Sequence, residues 1–177
     1  MPSERVREIY RGRVVHLVVE SITLPNGHEL DLEVVRHPGA SAVVALDDDD
    51  LVTLVRVYRH AAGGYLYEVP AGKLDGELPD VCARRELAEE AGLEAGDWQS
   101  LGSIVTTPGF SNEIIHLFLA RRLRAVPQQL EDSEVLTVER VPFARAVAMC
   151  GTGEIRDAKS ICALLRADLL QRGITAR

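Results

Sequence analysis

The chain has 177 residues, 46% hydrophobic and 27% charged, the balance of an ordinary globular protein and long enough for one domain with a sizeable core. Its net charge of −7, from 27 acidic and 20 basic residues, argues against a general nucleic-acid binder, which carries a basic face. No run approaches the roughly 18 apolar residues needed to span a membrane, and the opening MPSERVREIY has no apolar stretch behind its charges. The three dispersed cysteines, Cys82, Cys150 and Cys162, suit neither a disulfide framework nor a zinc site. A cytoplasmic protein with no membrane or nucleic-acid partner is the expectation.

In chain order, the β-branched run Val14 to Val19 reads as a strand, Pro25-Asn26-Gly27 as a turn, and Leu32 to Arg36 as a returning strand. Ser41 to Leu46 and Leu51 to Tyr58 are apolar runs separated by Asp47 to Asp50. Four consecutive acids on an extended chain point in alternating directions, so a solvated hairpin tip is favoured there over a metal site. Tyr65 to Val69 reads as a short strand. Pro79 to Ala91 reads as a helix, with Pro79 suited to its first turn, Gly92 placed to end it, and Ala83, Leu87 and Ala91 forming its core face. Leu101 to Val105, Ile114 to Ala120 and Val135 to Val141 read as strands, and Pro142 to Cys150 and Asp157 to Leu170 as helices, with Asp157 as an N-cap. Strands outnumber helices, which predicts an α+β or layered-sandwich fold.

The chemistry concentrates on the helix at Pro79 to Ala91. Glu86, Glu89 and Glu90 stand at i, i+3 and i+4, so their carboxylates share a face and repel one another. Solvent alone tolerates such clusters on exposed helices. A hard divalent cation is the other explanation, because Mg²⁺ prefers carboxylate oxygens and keeps positions open for phosphate and water. Gly72 and Gly76, in the loop before the helix, permit tight turns that would bring a carbonyl such as that of Ala71 to the same ion. Arg85, beside the acids, can hold Glu77 through a charge-assisted hydrogen bond.

These residues resemble the Nudix box, G-x5-E-x7-R-E-U-x-E-E-x-G-U with U aliphatic. Glu77, Arg85, Glu86, Leu87, Glu89, Glu90, Gly92 and Leu93 match in register. Four residues, not five, separate Gly72 from Glu77. Either the loop is one residue short or Ala71 takes the glycine position, and the run Glu68-Val69-Pro70-Ala71-Gly72, similar to the E-[LIV]-P-A-G lead-in of many such boxes, favours the short loop. The resemblance implies an α+β protein built as an α/β/α sandwich with a mixed central sheet and an N-terminal antiparallel strand region. Residues 1–40 would form that region and 41–177 the hydrolase domain.

Three further segments are similar to the ADP-ribose pyrophosphatase branch of the family. They are Thr107-Pro108-Gly109-Phe110-Ser111-Asn112-Glu113, Val55-Arg56-Val57-Tyr58-Arg59, and Gly153 to Ser160, which reads G-E-I-R-D-A-K-S and is expected to dock the last helix. The implied activity is metal-dependent hydrolysis of ADP-ribose to AMP and ribose 5-phosphate, with Mg²⁺ or Mn²⁺ as cofactor. By the same resemblance Glu86 and Glu90 are the main metal ligands, joined by the Ala71 carbonyl and Glu89, with Glu77 as ligand or brace. The general base is expected on the loop Leu130 to Glu134, with Glu134 ahead of Glu131 and a box glutamate third; Glu89 and Arg85 complete the catalytic set. Arg56, Glu68, Arg11, Arg13, Pro108, Gly109, Phe110 and Ser111 are expected at the substrate. N-terminal strands exchanged between subunits imply a homodimer. Two readings stand beside this one: a Nudix hydrolase of another nucleoside diphosphate derivative (a nucleotide sugar, FAD, NADH or CoA), and a non-catalytic ADP-ribose sensor. Intact box acids speak against the sensor.

Overall fold

A computed structural model describes residues 5–130 and 135–174. Three antiparallel strands come first, β1 (Arg5–Arg11), β2 (His16–Thr23) and β3 (Glu29–Arg36), and they form a sheet of their own. The expected turn at Pro25-Asn26-Gly27 is present, closed by the Gly27 N–H donating to the Leu24 carbonyl at 2.8 Å. The strand expected from Val14 starts instead at His16, because the Gly12 N–H donates to the Val15 carbonyl at 2.8 Å and turns the chain there. Strand β1 falls within the expected N-terminal strand region, although no apolar pattern marks its own run. Its sequence RVREIYR is interrupted by charges, and all seven residues are exposed.

A seven-stranded mixed sheet follows. Its order is β10 (Leu136–Pro142), β5 (Leu51–Arg59), β4 (Ala40–Leu46), β9 (Ile114–Ala125) and β8 (Leu93–Val105), with β6 (Gly64–Glu68) paired to β5 and β7 (Ala71–Lys73) paired to β4. The β4–β9 pairing is parallel and the others are antiparallel. The aspartate run is a hairpin tip as expected: the Asp49 and Leu51 N–H groups donate to Asp47 Oδ1, each at 2.9 Å. Strand β8 begins eight residues before its expected start at Leu101. The early part, LEAGDWQS, carries too many small and polar residues to show an apolar alternation, yet it pairs with β9 as far as Leu93↔Ala125.

Three helices cover the sheet: α1 (Pro79–Ala91), α2 (Phe143–Thr152) and α3 (Ala158–Gln171). Strand β4 shows why the core has two halves. Successive side chains on a strand face opposite ways, and here Val43 and Ala45 pack with Ala83 and Leu87 of α1 while Ala42, Val44 and Leu46 pack with Ala146 and Met149 of α2 and Ala163, Leu164 and Ala167 of α3. Both faces are covered, so β4 is buried along its whole length and reads as a continuous apolar run. Burying a side chain such as Leu87 contributes about 1.5–3 kcal/mol. The layering is an α/β/α sandwich with a mixed sheet, as the resemblance implied, and it brings β7 and one end of α1 alongside the start of β4. Among the described residues no helix is long and apolar enough to cross a membrane.

Candidate active site

Helix α1 starts with Pro79 in its first turn and ends at Gly92, whose left-handed φ of 63° lets its N–H return to the Ala88 carbonyl at 3.1 Å. The segment before it is compact. Leu74 to Glu77 is a tight turn with φ of 45° at Asp75 and 93° at Gly76, closed by the Glu77 N–H donating to the Leu74 carbonyl at 2.8 Å. Positive φ at both central positions suits the Asp-Gly pair. The path is therefore a strand followed directly by a short turn. Gly72 does not turn the chain, contrary to expectation. It lies in β7, and its lack of a side chain makes room for Glu86: a Cβ there would stand 1.9 Å from Glu86 Oε1.

Arg85 gathers the acids. Its Nε donates to Glu77 at 3.0 Å, and Nη1 donates to Glu86 at 2.7 Å and Glu89 at 2.8 Å, while Nη2 donates to the Lys73 carbonyl at 3.2 Å. Burial disfavours the charge, but the bonds to Glu77 and Glu89 and the field of Glu86 outweigh it and raise the guanidinium above its ordinary value. The anticipated Arg85–Glu77 contact is thus one of several. On the adjacent face the Ala71 N–H donates to Glu90 Oε2 at 2.8 Å. Glu86 and Glu90 are 7% and 5% exposed, so two carboxylates of this cluster have given up most of their water. Cys82 is packed beneath, where burial and then Glu86 push its thiol up.

A cleft of about 880 Å³ opens over this surface. Of the expected site residues, Ala71, Arg85, Glu86, Glu90 and Arg13 line it. Glu77 and Glu89 reach it through Arg85. Arg11 lies in a neighbouring groove shared with Arg13, and bonds to Glu8 and His16. Arg56 is elsewhere, with its guanidinium 4.7 Å from the ring centre of Tyr65. Pro108, Gly109, Phe110 and Ser111 form a turn beside β3, where the Val35 N–H donates to the Phe110 carbonyl at 2.7 Å, and none of the four lines the cleft. Glu131 and Glu134 lie outside the described residues.

The cleft also contains residues that were not expected at the site, several of them within the three segments quoted above. Arg59, Asp157 and Lys159 form one wall, and His37, Thr106 and Glu113 another. Asp157 pairs with Lys159, and Arg59 and Lys159 flank Glu68, which is 2% exposed. Arg59 donates to its two oxygens from Nε and Nη2, each at 2.9 Å, and Lys159 pairs with it as well. Burial works against the Glu68 carboxylate, but the Arg59 fork and the Lys159 ammonium hold it below the usual carboxylate range. The signal was available: a glutamate inside the apolar strand Tyr-Leu-Tyr-Glu-Val must find cations, and Arg59 sits one hairpin away. On the other wall the Thr106 hydroxyl donates to Glu113 at 2.6 Å, and nothing in the sequence pattern marked that pair.

The donor set suits a hard divalent cation. Four carboxylates and one arginine meet beside a backbone segment, two of the carboxylates are buried, and oxygen donors of this kind are what Mg²⁺ takes. Among the described residues no three acidic, histidine or cysteine groups stand close enough together to hold a metal ion; Glu77, Glu86 and Glu89 are instead bonded to Arg85.

Known proteins resemble this chain in both sequence and fold. A family model described as the NUDIX domain matches residues 35–164. The chain is 38% identical over 160 residues to an ADP-ribose pyrophosphatase of Bacillus subtilis, covering 89% of this chain and 86% of that protein. It is also 38% identical over 163 residues to the methanol dehydrogenase activator of Bacillus methanolicus, covering 90% and 88%. Among solved structures, one described as an ADP compounds hydrolase superposes with a TM-score of 0.79 at 24% identity over 97% of this chain and 95% of its own, a likeness of fold. With the box acids gathered at one cleft and the domain model spanning most of the sequence, the chain belongs to the Nudix family and is a Nudix hydrolase.

Proposed function

We propose that the protein hydrolyses the pyrophosphate bond of ADP-ribose, giving AMP and ribose 5-phosphate, with Mg²⁺ as its cofactor and Mn²⁺ as a substitute. The observation that carries the reading is the pair of buried carboxylates, Glu86 and Glu90, on the floor of a cleft large enough for a dinucleotide-sized ligand. The relative named an ADP-ribose pyrophosphatase supports the substrate. Identity alone does not choose it, since the methanol dehydrogenase activator is equally similar.

In this reading Glu86, Glu90, Glu89 and the Ala71 carbonyl hold the cation, and Glu77 braces the loop through Arg85. When bound, the metal neutralises diphosphate charge and lowers the cost of releasing a phosphate oxygen. The rest falls to the chain's own groups. Arg85 keeps the carboxylates in place. Arg59 and Lys159 present positive charge to the cleft, and Arg13 adds another at its mouth. Arg56, Arg11 and the turn Pro108 to Ser111 remain candidate substrate contacts acting from outside the cleft of a single subunit, and Glu68, buried beneath Arg59 and Lys159, serves the substrate by orienting those two cations. A base takes a proton from the attacking water as a new P–O bond forms and the bridging P–O bond breaks; the leaving phosphate departs with the bridging oxygen. Glu134 is proposed as that base, Glu131 next.

A homodimer is part of the proposal, with residues 1–40 as the pairing region and 41–177 as the hydrolase domain. The N-terminal sheet exposes Val6 and Tyr10, each at 58%, and the turn after β1 exposes Val14 at 68%. An apolar surface of this kind fits a partner subunit. The test is turnover with Mg²⁺ of a panel containing ADP-ribose, a nucleotide sugar, FAD, NADH and CoA. ADP-ribose is expected to give the highest kcat/KM, with Glu90→Gln abolishing it; equal or faster turnover of another panel member would transfer the assignment to that substrate.

A further inference from the structure

We propose that Ser160, at the start of α3, is a positioning residue for the metal-binding edge of the site, acting through the backbone of Val69 to Ala71. Three consecutive residues of this segment are each tied to a different element. The Val69 N–H donates to Ser160 Oγ at 2.8 Å, the Pro70 carbonyl accepts from the Val43 N–H at 2.9 Å, and the Ala71 N–H donates to Glu90 Oε2 at 2.8 Å. The first tie comes from α3, the second from the central strand, and the third is itself part of the site. Proline at the middle position has no N–H of its own and a fixed φ, so the segment has little freedom to absorb a shift at Val69 before it reaches Ala71.

Ser160 is fully buried, and its hydroxyl is used in both directions. It accepts from Val69 and donates to Asp157 Oδ2 at 2.5 Å, the same oxygen that accepts the Ser160 N–H at 3.0 Å as the helix cap. Lys159 pairs with Asp157 at 3.0 Å and with Glu68, the residue just before Val69. The first turn of α3 therefore grips the side chain of Glu68 and the amide of Val69 together, from the opposite layer of the sandwich to α1. Removing a group that orients a metal's ligands typically costs about 10–100-fold in metal affinity or activity. The inference rests on the proposed metal site at Glu86 and Glu90 and is independent of which substrate the enzyme takes.

Ser160→Ala leaves the Val69 N–H buried without its acceptor. Two measurements at a temperature well below the melting point separate positioning from mere support of the fold. Mn²⁺ binding to the substrate-free protein, followed by electron paramagnetic resonance, is expected to weaken about tenfold, and the Ala71 amide is expected to exchange its hydrogen faster while amides of the β4 core keep their protection. A lower melting temperature with unchanged Mn²⁺ affinity and unchanged Ala71 exchange overturns the inference. Should Ser160→Ala not fold, Lys159→Met loosens the same grip by leaving Glu68 with Arg59, and it is held to the same two readouts. If wild-type protein binds no Mn²⁺ that Glu90→Gln removes, the metal reading itself is lost; the Ala71 amide then still decides whether Ser160 sets that backbone.

Discussion

Gly72 and Glu86 are in such close contact that the glycine's missing Cβ would overlap the carboxylate, 1.9 Å from Oε1 and 2.1 Å from the carboxyl carbon. The β7 strand and α1 are thereby set at a separation filled by the Glu86 side chain, with no room for a second one at position 72. Gly72→Ala forces either the strand or the carboxylate to move. Overpacking of this sort costs about 1–3 kcal/mol, and because Glu86 is the group displaced, the larger effect is expected on function. Mg²⁺-dependent turnover should fall at least about tenfold, as for loss of a ligand's orientation, while circular dichroism shows a folded protein. A Gly72→Ala enzyme with native kcat and native Mg²⁺ dependence would show that Glu86 is not required where it stands.

Arg85 is expected to be irreplaceable by lysine. It uses three nitrogens to reach Glu77, Glu86, Glu89 and the Lys73 carbonyl, and one ammonium cannot span those positions. Arg85→Lys retains the charge and should still lose about 1–3 kcal/mol of stability, the cost of charged groups left without partners. Urea unfolding measures that loss. The Mg²⁺ concentration for half-maximal rate is expected to change in the same variant, because Glu86 and Glu89 lose a shared anchor.

These two positions also show what was legible in advance. The box acids, the helix that carries them and its terminating glycine follow from spacing and helical periodicity, which are local properties. The sandwich followed from resemblance, and the β4 pattern gives it a physical basis, since a run buried on both faces needs two covering layers. What the sequence hid was pairing over long distances. Lys159 meets Glu68 across 91 positions, and neither residue's neighbours mark the other. The role of Gly72 was misjudged for a related reason: glycine marks a turn and a close approach equally well, and the approaching atom is on another element. The bounds of strand β1 stayed hidden because edge strands tolerate charges that mask apolar alternation.

The Glu68 cluster makes a pH prediction. Its carboxyl is held below the ordinary value of about 4.3 by Arg59 and Lys159. A depressed folded-state value means that the unfolded chain binds the proton more readily, so the contribution to stability is complete above the unfolded value and is lost as pH falls through the lower, folded one. Glu68→Gln should therefore narrow the stability difference between neutral and acidic solution. Thermal melts taken from pH 7 down to pH 3 would show the wild type losing more stability than the variant over the acidic part of that range. Parallel curves would mean that Glu68 carries no depressed value.

The proposed base is testable by substitution alone. A carboxylate that takes a proton from the attacking water contributes about 10²–10⁴-fold to the rate, and it must be ionised to act. Glu134→Gln is therefore expected to lower kcat by about that factor, to leave KM for ADP-ribose within a few-fold, and to remove the acidic limb of the pH–rate profile. Glu131→Gln should lower kcat only slightly and keep that limb. If Glu131→Gln shows the large loss instead, the base is Glu131. If both variants retain wild-type kcat and profile, the proton is taken within the box, and Glu89, tied to Arg85 at 2.8 Å and with a half-exposed carboxylate, is the next residue to substitute.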